Sequence, residues 1–321
     1  MRRLALLTLL AAALAAGEIL NASYDVARDV YRDLNAAFAK TAAGQGIVVR
    51  QSHDGAAKQA RAVIEGLPAD VVTMNSSHDI DQIARAGLIA ADWRKRLPNN
   101  ASPSYSLHVF VVRSGNPKQI RDWGDLLKPG VQIIAVNPKT GTNGKYTYLG
   151  LHAWASRQPG ANDDSVRAAL AAFYRNVLTL EKGGRAATTA FAQRELGDVL
   201  VTFESEALRI QQEFAGKVEI VWPSLSVRAD NPVAWVDANV AKKNTLAAAR
   251  AYLEFLYTKE AQEIFARHHM RPSDPQVLAA QAGRFAAVET VTVEEAFGGW
   301  EAAQKQHFDD GGWFDQLYGP R

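Results

Sequence analysis

The stretch that most constrains this chain is residues 131–154. An apolar run, Val131-Gln132-Ile133-Ile134-Ala135-Val136, leads into the turn Asn137-Pro138-Lys139-Thr140-Gly141-Thr142-Asn143-Gly144-Lys145, and a continuous apolar segment follows to Trp154. The pattern reads as a buried strand, a turn of small polar residues and a helix. The first amides of a helix have no carbonyl behind them and carry the positive end of the helix dipole, so a helix that starts in such a turn is suited to hold an anion. Glycines let the backbone come close to the ligand.

Two further turns repeat the pattern. His53-Asp54-Gly55-Ala56-Ala57 follows the apolar run starting at Ile47, and Lys182-Gly183-Gly184-Arg185 precedes a helix over 186–195. There is also an internal echo: a small-residue turn, a helix and then Ala69-Asp70-Val71-Val72-Thr73 in one half, and the same order ending in Gly197-Asp198-Val199-Leu200-Val201-Thr202 in the other. Strands alternating with helices indicate an α/β class with largely parallel sheets. A chain of 321 residues is long for one core, so two lobes are expected. Two apolar segments, 105–113 and 227–236, are suited to cross between them. If both cross, residues 17–104 and 230–321 form lobe one, 105–229 form lobe two, and the three turns edge the cleft.

Residues 1–16 read as a secretory signal. Arg2 and Arg3 are followed by an apolar run over 4–14 and by Ala13-Leu14-Ala15 as a small-residue cleavage site. The run is too short to span a bilayer as a helix. Loss of Arg2 and Arg3 on cleavage brings the 36 basic residues level with the 34 acidic ones, and no basic patch indicates nucleic acid as a partner. With no cysteine, disulfides, thiolate metal sites and cysteine nucleophiles are excluded, as is a lipid-modified cysteine.

Enzymatic chemistry finds little support. His268 and His269 are helix neighbours whose side chains diverge. His307, Asp309 and Asp310 are read as capping the last helix beside Gly311-Gly312 rather than as metal ligands. Glu204 and Glu206 stand two apart on a helix and do not face each other, and no nucleophile-elbow, zinc or phosphate-loop motif occurs. A site of neutral donors without nucleophile or base describes a receptor, with no cofactor.

The chain resembles the periplasmic sulfate/thiosulfate-binding proteins of ABC importers along essentially its whole mature length. The matching runs are 20–25, 51–53, 58–59, 69–73, 115–118 with 122–123, 137–139, 197–200, and 297–300 with 307–308. Runs at 23–26, 146–149, 183–185, 203–206 and 232–237 look closer to the thiosulfate-binding branch. The resemblance implies a two-lobed class-II periplasmic binding protein fold with two inter-lobe crossing strands. It implies a soluble periplasmic monomer that delivers an inorganic oxyanion to a permease and ATPase complex. Carried onto this sequence, the ligand-binding residues are Asp25, Ala56, Ala57, Thr140, Gly141, Thr142, Asn143, Gly184, Arg185 and Phe203, with Asp25 organising the site.

Several positions depart from that pattern. Ala56 stands where serine is usual, and Ala57 where glycine or serine is. Thr140-Gly141-Thr142 replaces Thr-Ser-Gly, Lys145 replaces an arginine, Ala186 a glycine, and Phe203 the tryptophan of sulfate-specific members. Backbone donors survive these changes and two hydroxyls do not, although Thr140 or Thr142 is placed to restore one. Asp54 has two readings: it caps its helix or pairs with Lys58, or it accepts a proton from a ligand that carries one. The alternatives to sulfate or thiosulfate are a related larger or protonated oxyanion, of phosphate or organosulfur type, and a periplasmic ester hydrolase.

Overall fold

The computed structural model describes residues 17–318, so the expected signal segment lies outside the described residues. The apolar alternation of the first run makes β1 (Gly17–Tyr24), which pairs in parallel with β2 (Ile47–Asp54) on one side and β3 (Val71–Thr73) on the other. Its inner position explains why Ile19, Asn21, Ala22 and Ser23 are all without exposure. Strand β12 (Val233–Trp235) completes this sheet antiparallel to β3. Helices Arg28–Phe38, Ala56–Ile64 and Ser77–Arg85 follow the three parallel strands. Leu34 and Phe38 of the first of them are fully buried in the core of this unit.

The second sheet has the order β7, β6, β8, β5, β9. Here β6 (Ile133–Val136), β7 (Val177–Glu181) and β8 (Val199–Phe203) are parallel, while β5 (His108–Arg113) runs antiparallel to β8 and to β9 (Val218–Val221). Strand β7 goes beyond the sequence reading, which passed from the helix before it straight to the Lys182 turn. Val177-Leu178-Thr179-Leu180-Glu181 is half-buried at the sheet edge, so its apolar pattern is incomplete.

The echoed motif has one structural meaning in both units. Asp70 donates its amide to the Leu20 carbonyl (2.8 Å) and accepts the Leu20 amide on its carboxylate (2.7 Å). Asp198 does the same with Gln132, at 2.8 Å for each bond. In each unit the aspartate before one strand thereby fixes the register of the parallel strand beside it.

Between the sheets lies a small third one, made of β4 (Ser104–Ser106), β11 (Ala229–Asn231) and β13 (Arg271–Pro272). Both expected crossing segments pass through it: β4 leads into β5 of the second sheet, and β11 into β12 of the first. The third strand marks a further crossing, which corrects the expected division of the chain. Residues 233–270 pack in the first core, but Val291, Val293, Trp300, Phe308, Trp313 and Phe314 pack with Trp123, Tyr148 and Phe173 in the second. Strand β14 (Glu289–Val291) pairs with β10 (Leu225–Val227) on that same side. The C-terminal segment therefore belongs to the second lobe and not to the first. His307 is likewise not a cap; it is buried, with Nδ1 3.2 Å from the Tyr148 hydroxyl.

At this hinge Arg271 of β13 makes a two-point ion pair with Glu204, which follows β8, at 2.6 and 2.8 Å. Glu204 has no exposed side chain and also accepts the Trp222 indole N–H at 2.7 Å. Burial acts to lower the Arg271 pKa, but the hydrogen bond and charge of Glu204 leave it raised. Removing one member of such a pair leaves the other charged and dry, a loss of about 3–5 kcal/mol. Arg271→Met is expected to lose that much in denaturant unfolding, and adding Glu204→Gln to recover part of it; full additivity of the two losses would show that the pair is not coupled.

Candidate functional site

In open α/β sheets, ligands sit where the carboxyl ends of parallel strands deliver the chain into helices. Here the carboxyl ends of β1, β2 and β3 face those of β6, β7 and β8 across a cavity of about 370 Å³. All ten residues singled out by the sequence border it: Asp25, Ala56, Ala57, Thr140, Gly141, Thr142, Asn143, Gly184, Arg185 and Phe203. Asp25 opens the single tight turn after β1, and Ala56 begins the helix Ala56–Ile64. Thr142 begins the helix Thr142–Ala155, and Gly184 the short helix Gly184–Thr188, which continues as a wider π-helical turn through Gln193. Three helix starts from two lobes thus aim first-turn amides at one space.

The turn after β6 is held by its own polar side chains, which removes the Thr140 hydroxyl as a ligand donor. Thr140 Oγ1 lies 3.2 Å from both the Asn137 and the Lys182 carbonyl oxygens, so its one proton is engaged with backbone and ties this turn to the one at Lys182. Thr142 is left as the hydroxyl bordering the cavity beside it. Asn143 donates its amide nitrogen to Thr202 Oγ1 at 3.0 Å, while His108 Nε2 sits 3.0 Å from the Asn143 carbonyl and 3.3 Å from its side-chain oxygen. With two acceptors there, Nε2 carries the imidazole proton. Burial pulls the His108 pKa down to about 4, so the ring is neutral at neutral pH. What Asn143 can still offer a ligand is its backbone N–H and the second hydrogen of its amide nitrogen.

The glycines differ in what they are for. A Cβ on Gly144 would stand 2.3 Å from the Val136 carbonyl oxygen, and one on Gly141 2.7 Å from Val136 Cγ1. These two let the helix start fold tightly against the end of β6. A Cβ on Gly184 would meet nothing nearer than Asn143 Nδ2 at 3.8 Å, and on Gly183 nothing within 4 Å. That open space belongs to the cavity.

Asp54 is the carboxylate nearest the second turn. Its Oδ1 accepts the Gly55 amide at 2.7 Å and lies 3.5 Å from Lys58 Nζ. The helix cap itself is Gly55, so Asp54 serves the amide before the helix rather than one within it. The Gly55 amide, aided by Lys58, holds its carboxyl below the usual range, which makes it a poor proton acceptor. Phe203 ends β8 with its ring 4.6 Å from that of His108 and 5.9 Å from Tyr146, both edge-on, and forms a wall without a donor.

The structure adds Asn75, Lys182 and Glu206 to the cavity. Asn75 sits just beyond β3 with its side-chain oxygen buried and unpartnered among the described residues. Its position past a parallel strand end is the signal that points to it. Glu206 is buried and paired with Arg209, and burial raises its pKa against that pairing. Lys58, Lys182 and Arg185 match Asp25, Asp54 and Glu206 in charge around the cavity.

Residues 19–271 match the family of bacterial extracellular solute-binding proteins. The chain belongs to that family. It is 48% identical over 332 residues to a thiosulfate-binding protein of Pseudomonas aeruginosa, covering 100% of both chains. To a sulfate-binding protein of Escherichia coli it is 45% identical, across 94% of this chain and 92% of that one. Among solved structures it is similar to the sulfate-binding protein SubI from Mycobacterium tuberculosis, with a TM-score of 0.80 at 33% identity, over 91% of this chain and 100% of the other. A solute-binding protein is part of a transport system and not an enzyme, which sets the reading of the cavity as a place of capture. For this solute-binding protein, Gly144→Ala is expected to lose about 1–3 kcal/mol of stability in urea unfolding, because backbone rather than a flexible side chain must move. Gly184→Ala, which meets open space, is expected to change stability by well under half as much.

Proposed function

We propose that this chain is a periplasmic receptor that binds sulfate or thiosulfate between its lobes and delivers it to an ABC permease and ATPase. The observation that carries this reading is the convergence of three helix starts on one cavity whose charged side chains balance each other. An oxyanion taken from water needs a hydrogen-bond donor for each lone pair it gives up. First-turn amides supply such donors without reorganisation, and charge-assisted bonds of this kind are about twice as strong as neutral ones. Each helix end adds roughly half a positive charge, so three of them offset most of a dianion's charge without a buried ion pair. Relatives that share nearly half of its residues are named for sulfate and thiosulfate binding, in agreement with this chemistry.

In this reading the ten cavity residues form the site, largely through backbone. Ala56 and Thr142 contribute amides and Thr142 also the hydroxyl, while Gly141, whose own amide bonds the Asn137 carbonyl at 3.0 Å, shapes the turn; Arg185 adds long-range charge, and Phe203 one dry wall. The receptor acts as a monomer after export on its N-terminal signal. A larger oxyanion of the organosulfur type is the second reading, favoured by the donor-free Phe203 wall and by the room at Gly183 and Gly184. A proton-bearing ligand fits less well, because Asp54 is already bonded to Gly55 and Lys58.

Calorimetry on protein unfolded, freed of ligand and refolded tests the assignment. Sulfate or thiosulfate is expected to bind with a Kd well below 1 mM; affinity no better than that, about −4 kcal/mol, for both anions would remove it. Asp54→Gly is expected to bind as tightly as the parent or tighter across pH 5–8, since a carboxylate near a dianion repels it. Weaker binding in this variant would mean that Asp54 touches the ligand.

A further inference from the structure

We infer that Lys139 is a positioning residue for anion binding, through which the C-terminal segment Gln304–Asp315 holds the helix start at Thr142 in its binding geometry. This rests on the receptor function proposed above. Lys139 lies at the centre of the turn that presents Thr142 and Asn143 to the cavity, yet its side chain runs the other way. Its ammonium donates to the Phe308 carbonyl at 2.9 Å and to Asp315 Oδ2 at 2.8 Å, with the Asp309 carbonyl at 3.3 Å and Asp310 Oδ1 at 3.4 Å. Four oxygens from one segment meet around one lysine nitrogen.

The acceptor side is built for this contact. Asp315 also accepts the Gly311 amide at 2.9 Å, which fixes the carboxylate in place. The same segment reaches the following helix twice more, through Gln304 Oε1 to Lys145 Nζ at 2.8 Å and through His307 to the Tyr148 hydroxyl. On its inner side the turn is tied by the Lys139 amide to Asn137 Oδ1 (2.8 Å) and by Thr140 to Lys182. Lys139 is therefore the outward tether of a turn whose inward face meets ligand. Donors aimed at an oxyanion lose their advantage with displacements near 1 Å, so freeing the tether reaches the ligand without touching it.

Two neighbouring effects are separable from this one. Lys139 carries a charge, and its removal alone would weaken anion binding by Coulomb attraction. Asp315→Asn works in the opposite electrical sense: it removes a negative charge, so a purely electrostatic role predicts tighter binding, whereas a positioning role predicts weaker. Asp315 is a third exposed, at 32%, and the change is isosteric, so this variant keeps the packing of the segment.

The test uses the full chain. Hydrogen exchange of the ligand-free protein reports the turn directly, and titration with sulfate and with thiosulfate reports function. Lys139→Met and Asp315→Asn are each expected to speed exchange over residues 139–145 at least tenfold while residues 17–24 are unchanged, and to weaken anion binding about tenfold. Lys139→Arg is expected to restore part of both. Unchanged exchange over 139–145 would overturn the inference, as would faster exchange with unaltered affinity, or tighter binding by Asp315→Asn. Should the parent chain bind neither anion, the receptor assignment fails, while the exchange measurement still decides whether Lys139 and Asp315 hold the turn.

Discussion

An amide in the first turn of a helix has no carbonyl to bond, and the rest of this structure is arranged around where those amides point. Parallel strands bring their chain ends to one edge of a sheet, and each helix that follows begins there. Two such sheets face each other, so the free amides of three helices meet in one space between them. Side chains bordering that space must then be small or absent, as at Gly183, Gly184 and Ala56, while Gly141 and Gly144 let their turn close against the end of β6. The polar residues that remain in these turns mostly bond to the protein. Thr140 holds the Lys182 backbone in place and Asn143 bonds the Thr202 hydroxyl, which leaves the cavity mainly to main-chain donors.

Holding two lobes at the right separation is the second requirement. Strands β4, β11 and β13 pair side by side, so the three connections between lobes form one small sheet rather than independent linkers. The buried Glu204–Arg271 pair joins that sheet to the end of β8, next to Phe203. A rotation of one lobe against the other therefore twists a hydrogen-bonded unit whose charges cannot separate without being left unpaired in a dry place. The floor of the cleft and the hinge are adjacent residues of the same chain.

Much of this could be read from residues alone, because it depends on local chemistry. Small-residue turns marked all three helix starts, two of them by the apolar runs before them, and the Ala69-Asp70 and Gly197-Asp198 echo turned out to be one register lock used twice. The pairing of Asp54 with Lys58 was among the readings that sequence distance allowed, whereas its bond to the Gly55 amide, in place of a helix cap, was not. What stayed hidden depends on three-dimensional neighbours. Helical periodicity shows that Trp300, Phe308 and Trp313 bury one face but not against which core, so the final segment was assigned to the wrong lobe. A threonine at the mouth of a site looks like a ligand donor until the Lys182 carbonyl is found beside it. Nothing in the spacing of the chain shows that the Lys139 nitrogen lies among the oxygens of residues 308–315.

The placement of that final segment also bears on the order in which the protein can be made. A chain synthesised from its N-terminus has residues for the first core through Met270 before those of the second are complete, since Val291 through Phe314 supply one wall of the latter. The sheet β5 to β9 can pair early and take the helix Thr142–Ala155 on one face, but the Tyr146, Tyr148 and His152 side of that helix stays bare until Phe297, Trp300, His307 and Phe308 arrive. Such a partly covered intermediate is the kind of species that folding chaperones recognise. The second lobe is thus closed by residues made after those of the first core, so it cannot lock into its final form until residues 291–314 have joined it.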